Sequence, residues 1–297
     1  MNKRLFVLEP TNFGVSYEIN PWMAGNIGKV DAGLAKYQWD CLVETLQHAG
    51  ANVTVIPGHQ VDGPDAVFVA NAGLLHNGYF TPAVFANKER TVEEPGLLEY
   101  FKSQNYKLAR LGNEKDFPHS QNLVPQLTTP WEGAGDALFS DTKEILFAGS
   151  GFRGTAESVE HLSFIMGYQY FNFVEVCALE LVDPKFYHLD TCFCPLDTGY
   201  ILWRPEAFSI KTYRYLLNRL GSRLIHVRTD DALKFACNAV SINEHVVIPG
   251  PISEDLRRAL RHSGHIVHEV FMSEFMKAGG AAKCCTLEDY QFKIPLL

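Results

Sequence analysis

Residues 30–56 read VDAGLAKYQWDCLVETLQHAGANVTVI, and this stretch sets the fold class. Val30, Leu34, Tyr37, Cys41, Leu42, Thr45, Leu46 and Ala49 fall on one face at helical spacing, so residues 30–49 are expected to form an amphipathic helix. Gly50 supplies its stop, and the β-branched run at 53–56 follows as a strand. Just upstream, residues 5–8 are a second apolar strand, which makes the whole a strand–helix–strand unit.

Outward from this unit the same alternation continues. Helices are expected near 94–104, 155–167, 205–220 and 253–263, with a short one at 230–236. The helix at 253 opens on Ser253, a good N-cap, stacks Leu256 on Leu260 and ends at Gly264. Strands are expected at 66–69, 138–139, 145–148, 173–181, 199–203, 224–227, 246–248 and 266–270. The long helices recur about every fifty residues, which points to repeated supersecondary units around a centre rather than one open sheet. No Ser/Gly/Pro linker divides the chain, so residues 1–297 are expected to form a single catalytic domain. The longest irregular segment, 112–130, is an expected loop.

Composition narrows the function. With 46% hydrophobic and 20% charged residues, the chain has the balance of a globular protein with a large core. A formal charge of -8 and the lack of a basic cluster argue against nucleic acid or a membrane surface as partner; they favour a small-molecule substrate, a cation suiting the field best. Seven cysteines without regular spacing read as free thiols of a reducing, cytoplasmic compartment. The apolar stretch at the start stops at Glu9 and Pro10, too short for a signal peptide, and no run approaches a membrane span. A homo-oligomer is compatible with the sequence.

Three segments carry chemistry. The first, Trp131-Glu132-Gly133-Ala134-Gly135-Asp136, sets two carboxylates around a Gly-Ala-Gly step that lets backbone approach a ligand; the alternative is a turn with solvated acids. It lacks the spacing of a dinucleotide fingerprint. The second, Tyr187-His188-Leu189-Asp190-Thr191-Cys192-Phe193-Cys194, would place His188 and Asp190 on one face if extended, a pair able to move protons and hold a cation. Zinc on His188, Cys192 and Cys194 is the rival reading, but cysteines one residue apart with no second pair are a poor ligand set; core thiols fit better, and no metal or other cofactor is expected. The third, Lys277-Ala278-Gly279-Gly280-Ala281-Ala282-Lys283-Cys284-Cys285, is a close-approach loop ending in thiols; a thiolate there is a good nucleophile, and a buried structural cysteine pair is the alternative.

Taken in order, Glu-Gly-x-Gly-Asp, His-x-Asp and a Gly-rich loop before cysteine resemble the guanidino-group-modifying superfamily. It comprises arginine and agmatine deiminases, dimethylarginine dimethylaminohydrolases and amidinotransferases. The segments at 17–23 (YEINPWM) and 64–73 (PDAVFVANAG) are similar to its bacterial dimethylargininase-like branch, which includes arginine dihydrolases. The resemblance runs over essentially the whole chain and implies a five-bladed α/β propeller (pentein) with the active site on its axis. It implies Cys284 as nucleophile, chosen over Cys285 because the family's cysteine follows the Gly-rich loop directly. His188 is implied as proton donor to the leaving nitrogen and then activator of water. Glu132, grouped with these two as catalytic, and Asp190 are implied to bind guanidinium nitrogens. Asp65 and Phe68 join the substrate-binding set. Arg90 and Arg153 align with arginines that hold the substrate carboxylate, with a surface ion pair as the alternative for each, and Asn20 is placed at the α-amino end.

Asn71 departs from the aspartate usual in deiminases. A neutral amide, donor and acceptor at once, grips guanidinium less but tolerates a ureido group. The resemblance therefore implies an arginine dihydrolase yielding ornithine, carbon dioxide and two ammonia. Ala70 departs from the acidic residue of dimethylargininases. Arginine deiminase or dimethylargininase activity is the nearest alternative. An amidinotransferase, or a non-catalytic zinc- or ligand-binding protein, is further off.

Overall fold

The computed structural model describes residues 3–109, 129–169 and 174–291. Strand β1 (Arg4–Leu8) is buried along Leu5, Phe6, Val7 and Leu8, as a strand covered on both faces must be. Helix α1 (Ala32–His48) starts two residues later than expected because the Asp31 carboxylate caps it, accepting from Leu34 N–H at 2.9 Å. Its buried face is Ala35, Gln38, Trp39, Leu42, Val43 and Leu46. This corrects the stripe expected from Leu34 and Tyr37, which are 40% and 66% exposed: the inward face lies about one residue, or roughly 100°, further round. Trp39 is the largest apolar group on the helix, and burying it outweighs burying the amphipathic Tyr37. Strand β2 (Asn52–Ile56) then returns parallel to β1, Leu5 opposite Val53.

The remaining elements, in chain order, are β3 (Gly73–His76), β4 (Tyr79–Pro82), α2 (Glu94–Ser103), β5 (Lys107–Leu108), β6 (Ala137–Phe139), β7 (Ile145–Ser150), α3 (Ala156–Gln169) and β8 (Glu175–Glu180). They continue with β9 (Phe193–Pro195), β10 (Ile201–Trp203), α4 (Ile210–Leu220), β11 (Leu224–His226), α5 (Thr229–Ala232), β12 (Val240–Ile242), β13 (His245–Pro249), α6 (Glu254–His262), β14 (Ile266–Val270), α7 (Ser273–Met276) and β15 (Leu287–Tyr290). One pairing rule repeats through this mixed α/β architecture. An antiparallel pair is followed by a helical crossover to a parallel strand: β3-β4-β5 over α2, β6-β7-β8 over α3, β9-β10-β11 over α4, and β12-β13-β14 over α6. Parallel neighbours cannot be joined by a tight turn, which is why each unit carries a helix. The last strand completes the first unit, since β15 pairs antiparallel with β1 and also parallel with β3, giving one sheet ordered β2-β1-β15-β3-β4-β5.

Two expected extended segments are turns. Residues 66–69 wind into a 3-10 segment at Val69–Ala72, with Phe68 N–H bonded to Asp65 O and Asn71 N–H to Phe68 O. Their apolarity reflects burial of every side chain rather than strand pairing. His188 is extended, but Leu189–Thr191 is a 3-10 turn, closed by Thr191 Oγ1 on His188 O at 2.6 Å. His188 and Asp190 are therefore not alternating residues of one strand. The loop expected at 112–130 falls outside the described residues, except for 129 and 130. Among the described residues no helix is long and apolar enough to cross a membrane.

Candidate active site

The short turns that precede the first strand of each unit carry the polar residues. Asn71 precedes β3, Glu132 precedes β6, His188 and Asp190 precede β9, and Cys284 precedes β15. Glycine lets two of these turns close on each other. Gly133 sits at φ +60° against the backbone of Ala70 and Gly73, and a β-carbon on Gly135 would collide with the Asn71 amide nitrogen.

Cys284 is buried, its Sγ 3.3 Å from Asp190 Oδ2. Burial pushes the thiol well above its ordinary range, and the Asp190 carboxylate adds to the effect. Burial also pushes Asp190 up to about 7, against the Cys284 hydrogen bond and the Lys283 charge. Its Oδ1 has no hydrogen-bond partner, so one acceptor of a buried carboxylate stands ready for a donor.

His188 lies between two partners that fix its tautomer. Nε2 is 2.9 Å from Glu132 Oε2, and a carboxylate only accepts, so Nε2 carries the proton. Nδ1 is 3.4 Å from the Asn71 amide nitrogen and accepts from it. The Asn71 orientation follows from Arg90, whose Nη1 donates to Oδ1 at 2.8 Å. Burial holds His188 down to about 4 despite the pull of Glu132, leaving a neutral imidazole at neutral pH. Burial alone would push Glu132 up, but the His188 hydrogen bond and the Arg153 guanidinium outweigh it and hold the carboxyl at about 2.

Both arginines are buried rather than surface ion pairs. Arg153 Nη1 reaches both oxygens of Glu132, at 2.9 and 3.1 Å, and Nη2 donates to Ile19 O at 3.0 Å. Arg90 makes two bonds to Glu93, at 2.7 and 2.8 Å, and its Nη2 also donates to Asp65 O. Asp65 Oδ2 accepts from Tyr17 at 3.0 Å while its Oδ1 is unpartnered. Asn20 is held by its own turn, accepting from Trp22 N–H at 2.9 Å and donating to Ala278 O at 3.0 Å. Phe68 packs on Gly280, where a β-carbon would collide with its ring, so it braces the loop that delivers Cys284.

The structure thus brings together two groups: Cys284 with Asp190, and His188 with Glu132, Asn71, Arg90 and Arg153. Cys192 and Cys194 belong to a core cluster; Cys192 Sγ faces the His188 and Leu189 carbonyls and Cys194 Sγ donates to Ala239 O. Among the described residues no three His, Cys, Asp or Glu side chains form a metal-sized group. Sequence reading missed Tyr17, which holds Asp65, and Asn238, which bonds Cys284 Sγ at 3.1 Å. Tyr17 opens the segment 17–23, whereas nothing around Asn238 forms a motif.

The chain is similar to several known proteins over nearly its whole length. Residues 25–291 match the family described as N,N dimethylarginine dimethylhydrolase, eukaryotic. The chain is 39% identical over 285 residues to a bifunctional arginine dihydrolase/ornithine cyclodeaminase of Nostoc sp., covering 96% of this chain but only 37% of that longer protein. It is 34% identical over 287 residues to the N(G),N(G)-dimethylarginine dimethylaminohydrolase of Mycobacterium tuberculosis, covering 96% of this chain and 85% of that one. Its structure superposes on the N-terminal domain of ArgZ covalently bound to a reaction intermediate, with TM-score 0.86, 37% identity and 98% of each chain covered. With a family match over about nine-tenths of its length and a 34% identical relative aligned over 96% of it, the chain belongs to the dimethylarginine dimethylaminohydrolase family.

Proposed function

We propose that this chain is a cysteine-dependent hydrolase of the arginine guanidino group, and specifically an arginine dihydrolase. The observation that carries the reading is Asn71, a neutral amide held by Arg90 and turned toward His188 beside the Cys284–Asp190 pair. The likeness to a cyanobacterial arginine dihydrolase supports it. Arginine enters as a cation; its positive charge beside the sulfur favours the thiolate, and His188 takes the thiol proton. Sulfur bonds to the guanidinium carbon. The carbon–nitrogen bond then breaks as His188 returns the proton to the departing ammonia, leaving an amidino-cysteine. Water, losing a proton to His188, attacks that carbon and displaces the sulfur to give citrulline. A second passage through the same steps expels the second ammonia, and the carbamate left on nitrogen falls to ornithine and carbon dioxide. Two waters enter for two ammonia and one carbon dioxide released.

Glu132 stabilises the imidazolium formed in each passage, through its 2.9 Å contact with Nε2. Asp190 offers its free oxygen to a guanidinium nitrogen, and the unpartnered oxygen of Asp65 offers a second acceptor. In this reading Arg90 and Arg153 turn from their internal carboxylates toward the substrate carboxylate, and Asn20 stands at the α-amino end. The five units, each an antiparallel pair plus a parallel strand, are the blades of an α/β propeller with the site at its axis; the joining of β15 to β1 fits closure of such a ring. The chain acts as one catalytic domain in the cytoplasm, where its seven free cysteines stay reduced. Product analysis after incubation with L-arginine, beside Cys284→Ser, tests the reading. Ornithine with two ammonia is expected; citrulline with one ammonia would make it a deiminase, and turnover surviving in Cys284→Ser would refute the nucleophile.

A further inference from the structure

Four of the five units present a polar residue from the turn before their first strand. The fifth does so too, through a residue outside every motif: Asn238, in the turn before β12, is completely buried. Its amide is fully engaged. Oδ1 accepts from Cys284 N–H at 3.1 Å, and Nδ2 donates to Asp190 O and to Cys284 Sγ, both at 3.1 Å. Its backbone carbonyl accepts from Lys283 N–H at 3.1 Å. The orientation of the amide is not free. Cys284 N–H can only donate and Asp190 C=O can only accept, so these two backbone groups force the NH2 end to face the sulfur. The same turn holds Phe235 at φ +61°, a left-handed backbone that an aromatic residue adopts only when its surroundings impose it.

We propose that Asn238 is a positioning residue for the nucleophile: it locks Cys284 to the Asp190 turn and presents an N–H to the sulfur that stabilises the attacking thiolate. The ionisable groups around the sulfur make such a donor necessary. Asp190 Oδ2, 3.3 Å away, opposes a second negative charge, and Cys285 is buried alongside. Lys283, the cation next in sequence, is buried, and its charge acts on the Asp190 carboxylate. An N–H bond strengthens when its acceptor becomes an anion, so Asn238 favours the ionised sulfur over the thiol. The proposal rests on the reading of Cys284 as nucleophile, but not on the identity of the substrate.

The test is the pH dependence of Cys284 alkylation by 2-chloroacetamidine, an electrophile carrying the planar cation of a guanidinium, read by mass spectrometry of the Cys284 peptide. In folded Asn238→Ala the midpoint should rise by about one pH unit, with about tenfold slower alkylation near neutrality. kcat on arginine should fall by a similar factor with KM little changed. Asn238→Asp, which turns a carboxylate oxygen to the sulfur, should shift the midpoint further, and Asn238→Ser, which keeps a donor, should recover part of the loss. A folded Asn238→Ala with an unshifted midpoint overturns the proposal. The wild type supplies a check that needs no folded variant. With 15N-asparagine labelling, one side-chain amide should titrate at the alkylation midpoint and fall silent in Cys284→Ser; if none does, the proposal is wrong. Shifted alkylation without arginine turnover would refute the substrate reading alone, and ornithine production with unshifted variants would refute Asn238 alone.

Discussion

Replacing Asn71 with aspartate reverses the polarity of one hydrogen bond and tests the dihydrolase reading at its centre. In the wild type Asn71 accepts from Arg90 at 2.8 Å and gives an N–H to His188 Nδ1 at 3.4 Å, while Glu132 accepts from Nε2 at 2.9 Å. In Asn71→Asp, Arg90 keeps the new carboxylate ionised, and both imidazole nitrogens then face carboxylates. A hydrogen bond to a charged partner is worth about 1.5–3 kcal/mol, and about 1.4 kcal/mol corresponds to one pH unit. His188, held by burial at about 4, should therefore titrate roughly one to two pH units higher. The same carboxylate grips guanidinium more tightly but sets two acceptors against the carbonyl of a ureido group, so citrulline leaves before the second passage. Histidine NMR follows the first effect, and mass spectrometry of the products follows the second. If Asn71→Asp still makes ornithine as its main product, the assigned role of Asn71 is wrong. An unshifted His188 would refute the hydrogen-bond argument itself.

Three further outcomes follow from the geometry. Gly135→Ala drives a methyl into the Asn71 amide, so it should cost about 1–3 kcal/mol of stability and about a hundredfold in kcat; a fully active variant in steady-state assays would contradict the contact. Asp190 must ionise to hold guanidinium, so kcat/KM should rise with an acid limb near 7, and Lys283→Met, which removes a charge favouring the carboxylate, should move that limb to higher pH; a flat profile from about 6 to 8 would refute it. Arg153→Met strips Glu132 of the guanidinium nitrogen that reaches both its oxygens and should cost about 3–5 kcal/mol in urea unfolding. Because the folded Glu132 pKa is depressed to about 2 from 4.5, its contribution is complete above 4.5 and lost as pH falls through 2; the acid loss of stability should therefore be shallower in Arg153→Met.

The alternation of helix and strand was legible because period and punctuation are local: α2 and α6 fall within a residue or so of the helices expected at 94–104 and 253–263. The candidate site residues stood out for a related reason, since Glu132, His188, Asp190 and Cys284 each sit in a turn whose glycines or spacing mark it. What the chain does over long separations was not. β15, with the polar sequence LEDY, reads as nothing in isolation and is a strand because β1 and β3 flank it. Residues 66–69 are as apolar as a strand yet turn, because burial on all sides looks the same in a sequence window as burial in a sheet. The face of α1 was decided by what Trp39 packs against, and the partners of Arg90 and Arg153 by which carboxylates the fold buried beside them. Asn238 is the sharpest case: forty-six residues separate it from Cys284, and only the meeting of two turns in space puts its amide on the sulfur. By itself the sequence determined the class of fold and the chemistry on offer, because propensity, spacing and residue type act over a few residues. Tertiary structure decided which polar groups are desolvated together, and that shared burial is what shifts their pKa values and fixes their hydrogen bonds.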